Sequence, residues 1–259
     1  AAAGTWWICG EMMAACAVVY LLFKLLLQPH VPKVEVPLED DAERMDELHG
    51  RRKLDPRTAH PRDAGAGRIQ CWDPCTMDDL GVVEAFTPSR VHEAIRAARA
   101  AQGEWRKSTW EERRQLMRTM RRSLTDNMDA IVRVACRDSG KTKVDAMLGE
   151  VLTTCEKLRW LESSGARWLK PEWRESGLLN LHKSSRVEFH PVGVVGAIVP
   201  WNYPFHNVFN PLTAALFAGN AIVIKTSEYA SWSTKYYGRL IQLCLQAAGA
   251  PRDLVQIVT

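Results

Sequence analysis

No Asn-x-Ser/Thr sequon, no Gly-rich dinucleotide fingerprint and no internal repeat of fixed period occur in these 259 residues. Charge of one sign is also scarce: 34 basic residues against 30 acidic ones leave a net +4. That balance argues against a nucleic-acid partner and for an ordinary solvated surface. The cysteines are an odd seven at irregular spacing: Cys9, Cys16, Cys71, Cys75, Cys136, Cys155 and Cys244. Reduced, packed thiols are expected in place of a disulfide framework. Cys71 and Cys75 are the nearest pair outside the apolar N-terminal stretch, and no further ligands at a zinc-like spacing accompany them, so no metal is expected. The missing sequon fits a reducing, cytosol-facing body. What the chain does have is apolar side chains, 46% of the total, enough for one large core or two smaller ones.

The longest apolar run is residues 5–27, Thr5 to Leu27, charged only at Glu11 and Lys24. As a helix it measures about 35 Å at ~1.5 Å per residue, enough to cross a bilayer with some tilt. Trp6 and Trp7 suit one interface, Lys24 can snorkel toward the other, and Glu11 lies near an end, where burial costs less. A single-pass membrane anchor in the endoplasmic reticulum or another endomembrane is expected. The alternatives are a cleaved secretory signal and a plastid or other transit peptide. Against them, no basic region precedes the run, Gln28-Pro29-His30-Val31 is not a small-x-small cleavage site, and Arg and Ser richness is missing. Lys24 and Lys33 lie after the run with no Lys or Arg before it, which favours a cytosolic C-terminal body. Residues 28–67 read as a flexible charged linker, first Pro-rich, then acidic, then basic, with few apolar side chains.

The globular body is expected over 68–259. Gln70 to Thr87 suggests an entry strand and hairpin. Thr87-Pro88 opens a helix with proline at its first position, and Thr109 with Glu112 forms a capping box for the next. A long helix over about 142–163 carries the stripe Val144, Met147, Leu148, Val151, Cys155, Leu158 and Leu161, expected in the core. Within 173–191, Leu178 to His182 and Arg186 to His190 read as strands of a ribbon with too little core to stand alone, so it should pack on another subunit or domain.

From Gly193 the pattern is strand, helix, strand, helix, strand. The strands are Val194 to Val199, Ala221 to Ile224 and Leu254 to Val258, and the helices run about 207–218 and 231–248. Apolar strands with helical connections mean an α/β unit with a parallel sheet covered on both faces, and its ligands bind beyond the strand C-termini. Pro200 to Asn202 and Lys225 to Glu228 therefore share one rim. There Asn202 can donate to a developing oxyanion or simply bond its own turn. Glu228 can accept from ribose hydroxyls or oppose a helix dipole. Lys225 can bond ribose or phosphate oxygens, or be a surface lysine. His206 has no carboxylate or nucleophile placed with it and reads as a packed or surface histidine.

Several ordered motifs over about 69–259 resemble the aldehyde dehydrogenase superfamily. They are Asp138-Ser139-Gly140-Lys141, the Trp168 to Pro191 ribbon, Gly193-Val194-Val195-Gly196-Ala197-Ile198-Val199-Pro200-Trp201-Asn202-Tyr203-Pro204, Ala218-Gly219-Asn220, Ile224-Lys225-x-Ser227-Glu228 and Gly249-Ala250-Pro251. The wording from Gly140 to Ala146 and from Thr153 to Lys157, with the apolar N-terminal helix, is most similar to the plant family-22 members. The resemblance implies an aldehyde dehydrogenase-like fold: an incomplete Rossmann-like parallel sheet (192–259), a helical N-terminal part, and an oligomerisation ribbon (173–191). It implies NAD as cofactor, with Ile198, Val199, Pro200 and Trp201 on its nicotinamide and ribose side and Lys225, Ser227 and Glu228 at the adenosine ribose. It also implies Asn202 as the oxyanion-hole amide, Tyr203, Asn207 and Asn210 on the substrate tunnel, an aldehyde substrate, and a homo-oligomer.

The family chemistry uses a cysteine that forms a thiohemiacetal and a glutamate that activates water. By resemblance both belong beyond Thr259, since none of the seven cysteines lies in the family's motif. The expected function is the N-terminal part of a membrane-anchored, NAD-dependent aldehyde dehydrogenase, inactive as these residues alone. The alternative is a short, non-catalytic product that binds partners or interferes with assembly.

Overall fold

The computed structural model describes residues 12, 13, 15–20, 29–45 and 47–259. The expected membrane anchor, 5–27, lies largely outside them. Among the described residues no helix is long and apolar enough to cross a membrane.

A compact unit runs from Pro32 to Thr259. It therefore includes most of the segment read from sequence as a flexible linker. Val34 and Val36 are buried there, and the Asn127 side chain pairs with their backbone like a strand edge, accepting from the Val36 N–H at 3.2 Å and donating to the Val34 carbonyl at 2.8 Å. A single helical turn, Asp41–Arg44, comes after them. Its Glu43 carboxylate meets Arg239 at 2.6 Å. The charge pattern looked like that of a solvated tether because its partners, Asn127 and Arg239, lie far away in sequence.

An antiparallel hairpin of β1 (Arg68–Trp72) and β2 (Asp79–Glu84) comes next. Three helices succeed it, α1 (Pro88–Trp105), α2 (Trp110–Asp126) and α3 (Met128–Ser139). The capping box of α2 forms as expected: the Glu112 N–H donates to Thr109 Oγ1 at 3.2 Å, and the Thr109 N–H donates to Glu112 Oε2 at 2.6 Å. Leu116, Met117, Met120 and Leu124 of α2 are fully buried. Each such side chain contributes about 1.5–3 kcal/mol through burial.

A helical run, α4, then extends from Lys143 to Trp168, with π turns at Ala146–Leu152 and Leu161–Gly165. The stripe expected to be core divides here. Val151, Leu158 and Leu161 are buried, while Val144, Met147 and Leu148 are exposed. A π turn inserts an extra residue and changes the facing of the helix on either side of it, so a stripe drawn at a 3.6-residue period does not stay on one face.

The ribbon is shorter than its sequence pattern suggests. Strand β3 (Glu172–Arg174) pairs antiparallel with β4 (Ser185–Val187). Leu178–Asn180, expected within a strand, forms a 3-10 turn at the ribbon tip, with Leu178 and Leu179 on the surface.

Strands β5 (Val194–Ile198), β6 (Ala221–Lys225) and β7 (Val255–Val258) form a parallel sheet in that order. Helices α5 (His206–Phe217) and α6 (Ser233–Ala247) make the crossovers. Central β6 is buried from Ala221 to Ile224, as a doubly covered strand should be. On β5 the covering is incomplete: Ile198 is 87% exposed. Just past the Ala218 cap of α5, Gly219 has a left-handed φ of 85°, and an added Cβ there would lie 2.7 Å from Arg113 Nη2. That close approach lets Arg113 donate to the Phe217 carbonyl at 3.2 Å, a cation at the helix C-terminus.

Candidate active-site rim

Strand register builds the site. Ile198 lies beside Lys225, and Lys225 beside Val258, so the three chain segments leave the sheet together. Val199 is still tied to the sheet through its N–H to the Lys225 carbonyl at 3.0 Å. Beyond it, Pro200, Trp201 and Asn202 lie exposed on the C-terminal rim, next to the turn that carries Ser227 and Glu228.

Asn202 has a defined amide orientation. Its Oδ1 accepts from Asn207 Nδ2 at 3.2 Å, and Asn207 Nδ2 also reaches the Pro200 carbonyl at 3.3 Å. With the oxygen committed to the first turn of α5, the Nδ2 protons are the remaining polar face of the side chain. A donor held in this way can stabilise negative charge without reorganising.

Lys225 Nζ and Glu228 Oε1 pair at 3.0 Å, offering a donor and an acceptor on one side of the rim. This combination suits vicinal hydroxyls such as those of a ribose. Ser227 is used locally: its Oγ accepts from the Tyr229 N–H at 3.3 Å and caps the short turn Glu228–Ala230. Trp201 and Glu228 both line a cavity of about 320 Å³, together with Trp72, Asp138 and Tyr229. Burial pushes the Asp138 carboxyl up to about 7.

The three residues expected on a substrate tunnel part company. Asn207 stays with Asn202. The Tyr203 ring turns under the ammonium of Lys141, 3.8 Å from the ring centroid. Asn210 lies farther along α5, where its carbonyl accepts from Lys157 Nζ at 2.6 Å. His206 Nδ1 lies 3.1 Å from Thr154 Oγ1 and 3.3 Å from Thr153 Oγ1. Burial and the nearby Lys157 push its pKa down, which keeps the ring neutral. The Glu150 carboxylate bonds the His206 backbone N–H at 3.1 Å and not its ring.

Two residues that sequence reasoning did not single out lie directly beneath the rim, Lys141 and Glu150. Lys141 belonged to a recognised motif, but its contact with the Asn202 carbonyl, at 2.8 Å, spans 61 positions and has no local signal. Burial raises Cys71 and Cys244 to about 12 and also raises Cys136 and Cys155.

A parallel α/β sheet carries a side-chain amide after its first strand and a Lys–Glu pair after its second, both on one rim. The chain belongs to the aldehyde dehydrogenase family, whose model matches residues 62–259. It is 40% identical over 191 residues to an aldehyde dehydrogenase-like protein of Schizosaccharomyces pombe, covering 74% of this chain and 37% of that protein. It is 36% identical over 257 residues to an aldehyde dehydrogenase-like protein of Saccharomyces cerevisiae, covering 95% of this chain and 39% of the relative. Among solved structures, an NADP-dependent glyceraldehyde-3-phosphate dehydrogenase from Bacillus halodurans, complexed with NADP, superposes with a TM-score of 0.65. It is 29% identical, over 75% of this chain and 40% of that one. The chain thus spans well under half the length of the curated relatives it matches.

Proposed function

We propose that residues 68–259 supply the cofactor side and one oxyanion donor of an enzyme that oxidises an aldehyde to a carboxylic acid with NAD. One observation carries the reading: the Asn202 amide is fixed by Asn207 on the same rim as the Lys225–Glu228 pair. Thiolate addition to an aldehyde carbonyl leaves negative charge on the carbonyl oxygen, and a preorganised amide N–H lowers that barrier. A bound nicotinamide supplies the hydride acceptor. Lys225 and Glu228 would hold the adenosine ribose, with the carboxylate set against a 2′-phosphate. The choice of NAD rests on Glu228 of this chain, since a solved neighbour carries NADP.

The nucleophilic cysteine and the water-activating glutamate are proposed to come from outside these residues. Burial holds four of the thiols here protonated, which supports this division. The exposed ribbon tip, with Leu179 94% exposed, supports assembly with further copies of the chain. The apolar composition of 5–27 supports attachment to an endomembrane; carbonate extraction of the tagged protein tests this, and release into the supernatant would remove it.

The catalytic reading is tested in the complete protein that contains this chain. NADH formation from an aldehyde is expected there and is not expected from residues 1–259 alone. NADH production by the pure 259-residue chain would overturn the division of labour.

A further inference from the structure

The Pro200–Pro204 turn stands on a buried ion pair. Lys141, just after α3, and Glu150, in the first π turn of α4, meet at 2.7 Å between Nζ and Oε1, with side chains 8% and 0% exposed. The same ammonium donates to the Asn202 carbonyl at 2.8 Å and packs on the Tyr203 ring. The other carboxylate oxygen, Oε2, accepts from the N–H of Phe205 at 2.7 Å and from the N–H of His206 at 3.1 Å. Asp145 Oδ2 completes the surroundings of the ammonium at 3.9 Å. Asn202, Tyr203, Phe205 and His206 are thus each held by one or other member of a single pair.

The local backbone is shaped for this contact. A Cβ on Gly149 would lie 2.9 Å from Tyr203 Cε1, so only glycine lets the π turn come this close to the Tyr203 ring. Burying two charges is unfavourable unless their remaining donors and acceptors are used. Here the ammonium and Oε2 are spent on the backbone around Asn202, while Oε1 faces the ammonium alone.

We propose that Lys141 and Glu150 are positioning residues for Asn202. Asn207 orients the amide, while the pair fixes where its backbone lies. Neither member needs to touch substrate. This rests on the reading of Asn202 as an oxyanion donor, since a displacement of about 1 Å at such a donor costs on the order of 10²-fold in rate.

The test uses the complete protein with Lys141→Met, Lys141→Arg and Glu150→Gln, the last nearly isosteric and expected to stay folded. Two readouts are taken: aldehyde-oxidation kinetics, and amide hydrogen exchange of peptides covering 201–207. Lys141→Met is expected to lower kcat by roughly 10- to 100-fold, with the KM for NAD changed less than about twofold. Lys141→Arg is expected to recover part of the loss. Exchange at 201–207 is expected to accelerate in Lys141→Met and Glu150→Gln while distant peptides stay unchanged. Unchanged kcat in Lys141→Met, or unchanged exchange at 201–207, overturns the proposal. So does a loss shared equally between kcat and global unfolding. Normal turnover in Asn202→Ala is a separate result, which removes the oxyanion reading even if exchange at 201–207 responds to Lys141.

Discussion

Lys225 Nζ, at the end of β6, lies 3.0 Å from Glu228 Oε1, three residues further along the chain. The Glu228 carboxyl is held below the usual carboxylate range, first by its own backbone N–H and then by Lys225. It therefore remains an anion at neutral pH beside a cation that can still turn toward a ligand. Replacing Glu228 with Gln removes the charge opposed to a 2′-phosphate and leaves Lys225 in place. The expected result is a shift in relative affinity toward NADPH of roughly five- to tenfold, the size of one partly screened charge contact. Fluorescence titration of the variant with NADH and NADPH measures it; an unchanged ratio would detach Glu228 from cofactor choice.

Asn202→Ala in the complete protein is expected to cut turnover by roughly 10²–10³, as loss of other preorganised oxyanion donors does. Asn207→Ala should have a smaller effect in the same direction, because it frees the Asn202 amide to rotate without deleting it. Steady-state kinetics of the two variants in parallel provide the check, and the ranking should not invert.

Asp138 gives a pH signature. Its carboxyl is pushed up to about 7 by burial, against the Ser233 hydroxyl and N–H, which favour the anion, and with Asp73 adding repulsion. The folded protein thus keeps a proton that the unfolded chain releases near the ordinary value of 3.8. The associated stability is fully present below that value and is lost as pH rises through about 7. Asn at 138 retains an acceptor for the Ser233 N–H, which Asp138 Oδ2 now binds at 2.9 Å. Relative to wild type, Asp138→Asn should gain stability between about pH 4 and 7, by roughly 2–4 kcal/mol. Urea denaturation across that range is the measurement, and a pH-independent difference would refute the assignment.

Arg239 tests whether residues 32–45 belong to the body. It bonds Glu39 at 3.0 Å and Glu43 at 2.6 Å, and the Glu43 side chain is only 3% exposed. Arg239→Met would remove one charged partner of the buried Glu43 carboxylate while the Arg133 guanidinium stays on the Glu43 carbonyl at 3.1 Å, at an expected cost of roughly 2 kcal/mol. Denaturation midpoints should show it. If this segment were a free tether, the substitution would be near neutral.

Leu178, Leu179 and Leu181 project from the ribbon tip at 84%, 94% and 79% exposure. Changing Leu179 and Leu181 to Asp should lower the oligomeric state of the complete protein without unfolding the subunit, because neither side chain contributes to the core. Light scattering with circular dichroism would show this. A mass unchanged from wild type would place assembly elsewhere.

Much of the architecture was legible in the sequence because its signals are local. Thr109 and Glu112 are three residues apart and cap their own helix. The apolar run Ala221 to Ile224 is buried on both faces, as its composition implies. The rim followed from strand order alone. Legibility failed where periodicity or distance intervened. The π turns of α4 rotated Val144 and Leu148 out of a stripe that looked like core. Residues 32–45 lacked enough apolar side chains to suggest packing, yet Asn127 and Arg239 hold them through hydrogen bonds and ion pairs.

Local pattern, by itself, determined the helices, the parallel sheet and the placing of Asn202, Lys225 and Glu228 at strand C-termini. Backbone propensity, capping and strand burial act over a few residues and leave a readable trace. Only the tertiary structure decided which way the Asn202 amide points and what lies beneath it. That outcome depends on Asn207 at the start of α5, Lys141 after α3 and Glu150 in a π turn, groups brought together by packing between elements. A buried ion pair satisfied by distant backbone groups has no sequence period, so it becomes visible only once the chain is folded.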